Sequence, residues 1–218
     1  MVVAHSRKEA RVAIAGNGGW FRWRSPAWLA AVLAAGPTLA QQDDDRVRTL
    51  DHAVEMYVSD DALQARYVRT LDLGEIGPTE VRGGFFYNED RDLIVSGDLL
   101  ALVGDEVDVR SLELRVGTRV YGAFLAPEDQ DVFGIGLGGE AEYFFNRART
   151  ASVQLSVFYS PDIVTFGTAD NIKDASLRLV TRLRDGTDVF VGFRSFEIDL
   201  PIDREVDDNM HVGFRRSF

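Results

Sequence analysis

The chain closes with the stretch Asn209-Met-His-Val-Gly-Phe-Arg-Arg-Ser-Phe218. Large apolar side chains fall on one face of this stretch with the two-residue period of a β-strand: Met210, Val212, Phe214 and Phe218. A last strand that is apolar on one face and ends on an aromatic residue is typical of barrels that span an outer membrane. Arg216 shares that face, but an arginine near a strand end can extend its side chain to the lipid headgroups. The stretch therefore predicts the closing strand of a membrane barrel, with a terminal strand of a soluble sandwich as the alternative.

The same alternation recurs along the rest of the chain. It is clearest over 133–143, where apolar side chains alternate with glycines and glutamates, and it returns over 112–120, 153–159, 177–183 and 189–193. Weaker copies cover 52–59, 62–71, 79–88 and 92–103, and turn-forming residues such as Asp185-Gly186 separate the runs. These features predict an all-β fold: a single up-and-down antiparallel transmembrane β-barrel over 51–218 with about ten strands, eight being possible.

Counting strands back from the C-terminus predicts which turns share an end of the barrel. If the C-terminus is periplasmic, the turns at 146–149 and 184–187 are periplasmic too, while the longer connections 160–171 and 197–208 lie outside. Short periplasmic turns and longer outer loops are the usual asymmetry of such barrels.

The N-terminal region predicts export. Arg22 and Arg24 precede an apolar run from Pro26 to Gly36 that is too short to cross a bilayer as a helix. Small residues at Thr38 and Ala40 suit a signal peptidase, so residues 1–40 are predicted to be an extension and signal peptide cleaved after Ala40. Residues 41–50 would form an acidic mature N-terminus.

Charge and composition limit the partners. Loss of residues 1–40 removes five bases and one acid, which takes the net charge from −11 to −15. No nucleic-acid partner is therefore expected. The predicted barrel implies other partners: outer-membrane lipid, lipopolysaccharide and the barrel-assembly machinery. Phe214 and Phe218 are the residues expected to signal assembly. The sequence has no cysteine and hence no disulfide framework.

No motif predicts a cofactor, and none predicts a metal site. The glycines of 134–139 alternate on a strand and lack the lysine and helix of a phosphate loop. Two histidines, His52 and His211, remain after residue 40, far apart in sequence, and the acidic loops are more simply explained as solvated charge than as a Ca²⁺ cage. Ser160, Asp162 and His211 offer a weak alternative, a catalytic group at the outer rim, although Ser160-Pro161-Asp162 suits a turn equally well.

Charged side chains concentrate on the face predicted to line the lumen. They are Arg66, Arg82, Asp98, Glu113, Arg115, Arg119, Glu140, Glu142, Arg178, Arg182, Arg194 and Arg215. A barrel of about ten strands is narrow enough for such side chains to fill it and to pair across it. We expect a plugged lumen; the alternative is that surplus arginines line a narrow anion conduit.

One loop and two strands resemble a known family. Tyr159-Ser160-Pro161-Asp162, Phe166-Gly167, Ala169-Asp170-Asn171 and Phe190-Val191-Gly192-Phe193-Arg194, with the closing His211-Val212-Gly213, resemble the YfaZ family of bacterial outer-membrane proteins. The resemblance covers roughly residues 50–218. It implies an exported barrel in the outer membrane of a Gram-negative bacterium and supplies no catalytic residues.

The favoured function is a non-enzymatic outer-membrane barrel, either structural or a narrow or plugged, porin-like channel. The alternatives are a lipid-modifying outer-membrane enzyme, acting as an acyl hydrolase or transferase at the rim, and a soluble periplasmic binding barrel.

Overall fold

The computed structural model describes residues 48–103, 111–126, 130–183, 186–200 and 204–218. The predicted signal peptide, its cleavage after Ala40 and most of the acidic segment 41–50 lie outside these residues.

The described chain is built almost entirely of strands. They are β1 (Arg48–Val58), β2 (Ala62–Asp72), β3 (Pro78–Asn88), β4 (Leu93–Val103), β5 (Leu112–Leu125), β6 (Gln130–Phe144), β7 (Ala151–Ser160), β8 (Thr165–Phe166), β9 (Asn171–Arg182), β10 (Thr187–Asp199) and β11 (Arg204–Ser217). Two short 3₁₀ helices, Gly74–Ile76 and Asp162–Val164, lie between strands. Within the described ranges, no helix is long and apolar enough to cross a membrane.

Ten of these strands form one closed antiparallel ring. Each pairs with its neighbours in chain order, β7 pairs with β9, and β1 pairs with β11 to complete the circle. The two-residue β8 stands outside the ring order and pairs with Phe133 and Gly134 of β6. The prediction of a single up-and-down barrel is confirmed, with ten strands rather than eight.

The strands alternate because their two faces meet different surroundings. Apolar side chains point outward and remain exposed, as at Leu137 (64%) and Met210 (69%). Side chains at the alternate positions point inward and are buried, as at Glu140 and His211. The inward glycines of β6 leave room for crowded packing, since a Cβ at Gly138 would collide with the backbone of β7.

The interior divides into two zones along the barrel axis. At the end away from the chain termini the inward side chains are apolar, and we call this zone the apolar end: Phe86, Ile94, Leu125, Val132, Ile172, Phe196, Ile198, Leu200 and Val206. From there towards the termini, arginines and carboxylates become the main inward side chains, among a few buried apolar residues such as Val68, Leu100 and Phe144. Phe190 and Phe196, which blur the alternation of β10 in the sequence, both point inward.

The prediction of a long connection over 197–208 is wrong. β10 continues to Asp199 and β11 begins at Arg204, because Phe196 and Ile198 are buried in the apolar end while Glu197 and Asp199 alternate outward. The connection between β7 and β9 is longer and holds the second 3₁₀ helix and β8. Loop length alone therefore does not distinguish the two ends of this barrel.

Candidate functional site

The central interior is filled by charged side chains that are all buried. We call this group the charged layer; it holds five arginines and five carboxylates: Arg66, Arg82, Arg119, Arg178 and Arg194 with Glu55, Glu80, Asp98, Glu140 and Asp174. They come from β1 to β6, β9 and β10, each at an inward position of its strand. Burying so many charges is costly unless every one finds a partner, so their pairing decides whether the interior is stable.

Asp174 of β9 is the centre of the layer. Its Oδ2 accepts a hydrogen bond from Nη1 of Arg119 at 2.7 Å. Arg194 of β10 donates to the same carboxylate twice, from Nε to Oδ1 and from Nη2 to Oδ2, each at 3.0 Å. One carboxylate thereby binds two guanidinium groups, one from the adjacent strand β10 and one from β5.

Two further pairs are bidentate, the geometry in which a guanidinium binds a carboxylate most strongly. Arg119 donates to both carboxylate oxygens of Asp98 at 2.7 and 2.9 Å. Arg82 donates to both oxygens of Glu140 at 2.6 and 2.7 Å, and its Nε also donates to Glu80 at 2.8 Å. The barrel wall is thus cross-linked through its interior.

Glu55 anchors the side of the layer nearest the closure of the ring. It accepts a hydrogen bond from Nη1 of Arg178 at 2.8 Å, and Nη1 of Arg66 lies 3.8 Å from the same oxygen. Arg178 belongs to β9, so this pair links the first strand to a late one. Nε of Arg66 and Nε of Arg178 have no hydrogen-bond partner.

Towards the chain termini the charges become more exposed and their pairs longer. Arg115 donates to Glu113 at 2.8 Å and lies 3.5 Å from Glu80 and 3.6 Å from Glu142. Arg182 is exposed and lies 3.6 Å from Glu142. These looser pairs are worth less than the buried ones because water screens them.

Aromatic rings join the charged layer to the packing around it. The guanidinium of Arg119 lies 4.0 Å from the ring centre of Phe158, and that of Arg178 lies 4.7 Å from Phe190. Arg194 lies 4.8 Å from the ring centre of Phe196, which belongs to the apolar end. Cation–π contacts of this kind stabilise a guanidinium on a face that has no carboxylate.

Little free space remains between these side chains. A cavity of about 10 Å³ lies among Arg66, Arg119, Glu140, Asp174 and Arg194. That is roughly the space one water molecule needs, and far less than a permeation path requires.

The structure places the predicted lumen residues at different depths. Buried are Arg66, Arg82, Asp98, Arg119, Glu140, Glu142, Arg178 and Arg194. Glu113, Arg115 and Arg215 are half-buried towards the termini, and Arg182 is exposed. Sequence reasoning missed Glu55, Glu80 and Asp174. Two of them share the inward parity of an arginine on the same strand: Glu80 lies two positions before Arg82, and Asp174 four before Arg178. Glu55 pairs directly with Arg66 on the neighbouring strand.

Ser160, Asp162 and His211 are not brought together. Ser160 lies at the end of β7 away from the chain termini. Following the register from strand to strand, Ser160 pairs with Ile172, Ile172 with Ile198, and Ile198 with Arg204 at the start of β11. His211 lies seven residues further along β11. At about 3.3 Å per residue the two rows are roughly 20 Å apart. The interpretation of His211 as a rim residue is wrong: its ring is buried in mid-strand, 4.4 Å from that of Tyr57. Ser160 instead hydrogen-bonds Thr165, and Asp162 is exposed.

In the described ranges, no three His, Asp or Glu side chains group closely enough to hold an ion. His52 lies on the outer face of the barrel. Its imidazole is stacked on the phenyl ring of Phe218, with 6.4 Å between the ring centres. The backbone N–H of Phe218 donates to the carbonyl of His52 at 2.9 Å. Phe214 points outward and is exposed.

These features define the class of the molecule as a closed ten-stranded antiparallel β-barrel with an apolar exterior and an ion-paired interior. No protein-family model matches the chain, so its resemblance to the YfaZ family stays a prediction. No curated protein matches it either.

Among solved structures, the chain is similar to the outer membrane channel DcaP of Acinetobacter baumannii, with 10% sequence identity and a TM-score of 0.39. The similarity covers 75% of this chain and 54% of that one, so the chain spans about half the length of DcaP.

Proposed function

We propose that this protein is a non-enzymatic outer-membrane β-barrel whose interior is closed to ions by its own side chains. One observation carries the proposal: exposed apolar side chains cover the outside of the ring while paired arginines and carboxylates fill the inside. An exterior of this kind is stable against lipid and unfavourable in water.

Charge balance favours a plugged interior over an anion conduit. Buried carboxylates are at least as many as buried arginines in the interior, since Glu142 and Asp207 are buried as well as the five carboxylates of the charged layer. Every arginine of the charged layer lies within 4.0 Å of a carboxylate oxygen. A conduit for anions needs arginines whose charge is left for the passing ion. The small central cavity and the apolar end both oppose the passage of hydrated ions.

The same exterior and the predicted signal peptide both support the proposed placement in the outer membrane. The partners that fit are lipid and lipopolysaccharide around the barrel and the machinery that assembles it. The YfaZ family remains the proposed relationship. An enzymatic role finds no support in the geometry of Ser160, Asp162 and His211.

The proposal is tested by refolding the chain from Gln41 onward into lipid vesicles and planar bilayers. We expect a band that shifts in gel mobility on heating and no measurable conductance. Anion-selective current under asymmetric KCl would replace the plugged interior with a conduit. Full solubility without detergent, and no insertion into vesicles, would contradict a membrane barrel altogether.

A further inference from the structure

The pairing of β1 with β11, which closes the barrel, is short. β1 pairs with β11 only from Ala53 to Val58, opposite Ser217 to Val212, whereas β10 pairs with β11 from Arg204 to Arg216. Among the described strands, residues 206–211 of β11 therefore have a neighbour on the β10 side alone. β11 and β10 therefore extend beyond the β1–β2 turn, and we call the resulting change in height of the barrel wall the step.

Backbone groups of β11 face this step. The N–H of Phe218 points to β1, since it donates to His52, while the N–H of Ser217 points to Gly186 on the other side. Because a strand alternates its backbone groups, those of Asp208 and Met210 point towards the step as well. Such an edge is not tolerated against hydrocarbon, so the step belongs at the level of the lipid headgroups.

A groove of about 610 Å³, which we call the seam groove, lies on the outside of the step. Its floor is apolar. Val58, Val212 and Val191 pair in one row across β1, β11 and β10. Phe193 and Met210 pair with each other two residues further from the chain termini. All of these side chains are exposed. The floor therefore continues the apolar exterior of the barrel up to the step.

The upper rim of the seam groove is acidic. Asp60 and Asp208 line it and are exposed. No lysine or arginine is among the lining residues, and the one histidine among them, His211, has its ring buried. The neighbouring Asp61 is already engaged, because it accepts hydrogen bonds from Asn209 and Ser59, each at 2.8 Å. These bonds tie the β1–β2 turn to β11 and leave the other two carboxylates facing the groove.

We propose that the seam groove binds an amphiphile with an apolar chain and an ammonium headgroup. The chain lies on the floor formed by the valines, Phe193 and Met210, and the ammonium meets Asp60 and Asp208. Charge complementarity selects the headgroup, since an anionic head would be repelled by both carboxylates. The inference rests on the membrane embedding proposed above, because only a lipid-facing exterior brings an amphiphile to this floor.

A tryptophan reporter tests the site without interference. Trp20, Trp23 and Trp28 all precede Gln41, so the chain from Gln41 contains no tryptophan. A Phe193→Trp variant, refolded in maltoside micelles, is titrated with a brominated alkyltrimethylammonium and with an alkyl sulfate of the same brominated chain. We expect the ammonium to quench the fluorescence at a lower concentration than the sulfate. Met210→Trp provides a second reporter if the first disturbs folding.

Matched variants assign the selectivity to the rim. Asp60→Asn combined with Asp208→Asn is expected to raise the ammonium concentration for half-quenching about fivefold, the effect of removing exposed charges worth about 1 kcal/mol. Asp131→Asn, an exposed acid on β6, should change nothing. Phe85→Trp on β3 should be quenched equally by both amphiphiles. Equal quenching of Phe193→Trp by both, or an unchanged double variant, would overturn the inference, while heat-modifiable mobility separately reports whether the barrel has formed.

Discussion

Replacing Asp174 with asparagine tests whether the charged layer holds the barrel together. The substitution keeps the size of the side chain and removes its charge, so no cavity contributes to the result. Arg119 and Arg194 direct three hydrogen bonds at this carboxylate, at 2.7, 3.0 and 3.0 Å. An asparagine accepts through one oxygen and presents an amino group, itself a donor, to a guanidinium.

The expected loss is large because both arginines are buried. Arg119 keeps Asp98. Arg194 keeps the neutral oxygens of Tyr57 and Gln64 at 2.9 and 3.2 Å, but its next carboxylate oxygen, on Asp207, is 3.8 Å away. Removing one partner of a buried ion pair costs about 3–5 kcal/mol, and we expect Asp174→Asn to lower the free energy of unfolding by that amount.

Urea unfolding from lipid vesicles, followed by circular dichroism and by heat-modifiable mobility, measures the loss. Glu197→Gln is the matched control, since it breaks an exposed pair with Lys173, the residue next to Asp174, and should lower the free energy of unfolding far less because water screens that pair. A loss for Asp174→Asn no larger than that of the control would refute the argument that the interior pairs stabilise the fold.

Three other substitutions follow from the geometry. Arg178→Met should lower the free energy of unfolding by about 3 kcal/mol, because Arg178 is buried beside its carboxylate. Arg182→Met should lower it by less than about 1 kcal/mol, because Arg182 is exposed. Equal losses for the two variants in urea unfolding would contradict this. Gly138→Ala should prevent or slow refolding, since its Cβ would collide with a backbone carbonyl of β7, and normal refolding yields would count against it. Deleting Phe218 should slow vesicle insertion by removing its backbone and ring contacts to His52; an unchanged time course of the heat-modifiable band would show that these contacts are dispensable.

The strands and their faces could be predicted from the sequence because alternation is a local property. Met210, Val212 and Phe214 are exposed on one face and His211 is buried on the other, as the period of two requires. The same period marks Arg119 and Glu140 as inward residues. What it leaves open is the partner of each charge, which depends on the register of strands far apart in the chain.

Two features show this limit: the apolar end, and the separation of Ser160, Asp162 and His211, which were predicted to meet at the rim. Phe196 and Ile198 share the inward parity of Arg194, so they contradict a rule in which apolar side chains always face outward. Only their height in the ring, well away from the chain termini, explains them. The distance between Ser160 and His211 likewise depends on the summed register of four strands, which no single stretch of sequence records.

The interior pairs also bear on the order of folding events. Arg82 and Glu140 are 58 positions apart, and Arg178 and Glu55 are 123 apart, so each pair joins strands that are distant along the chain. Contacts of such long sequence separation form late, because the loop between them must first be closed. A partly assembled sheet would expose arginines and carboxylates that have no partner, which makes incomplete barrels unstable intermediates. Closure of the ring and neutralisation of its interior are therefore one cooperative step, and a chain that stalls before β11 arrives gains little from the strands already in place.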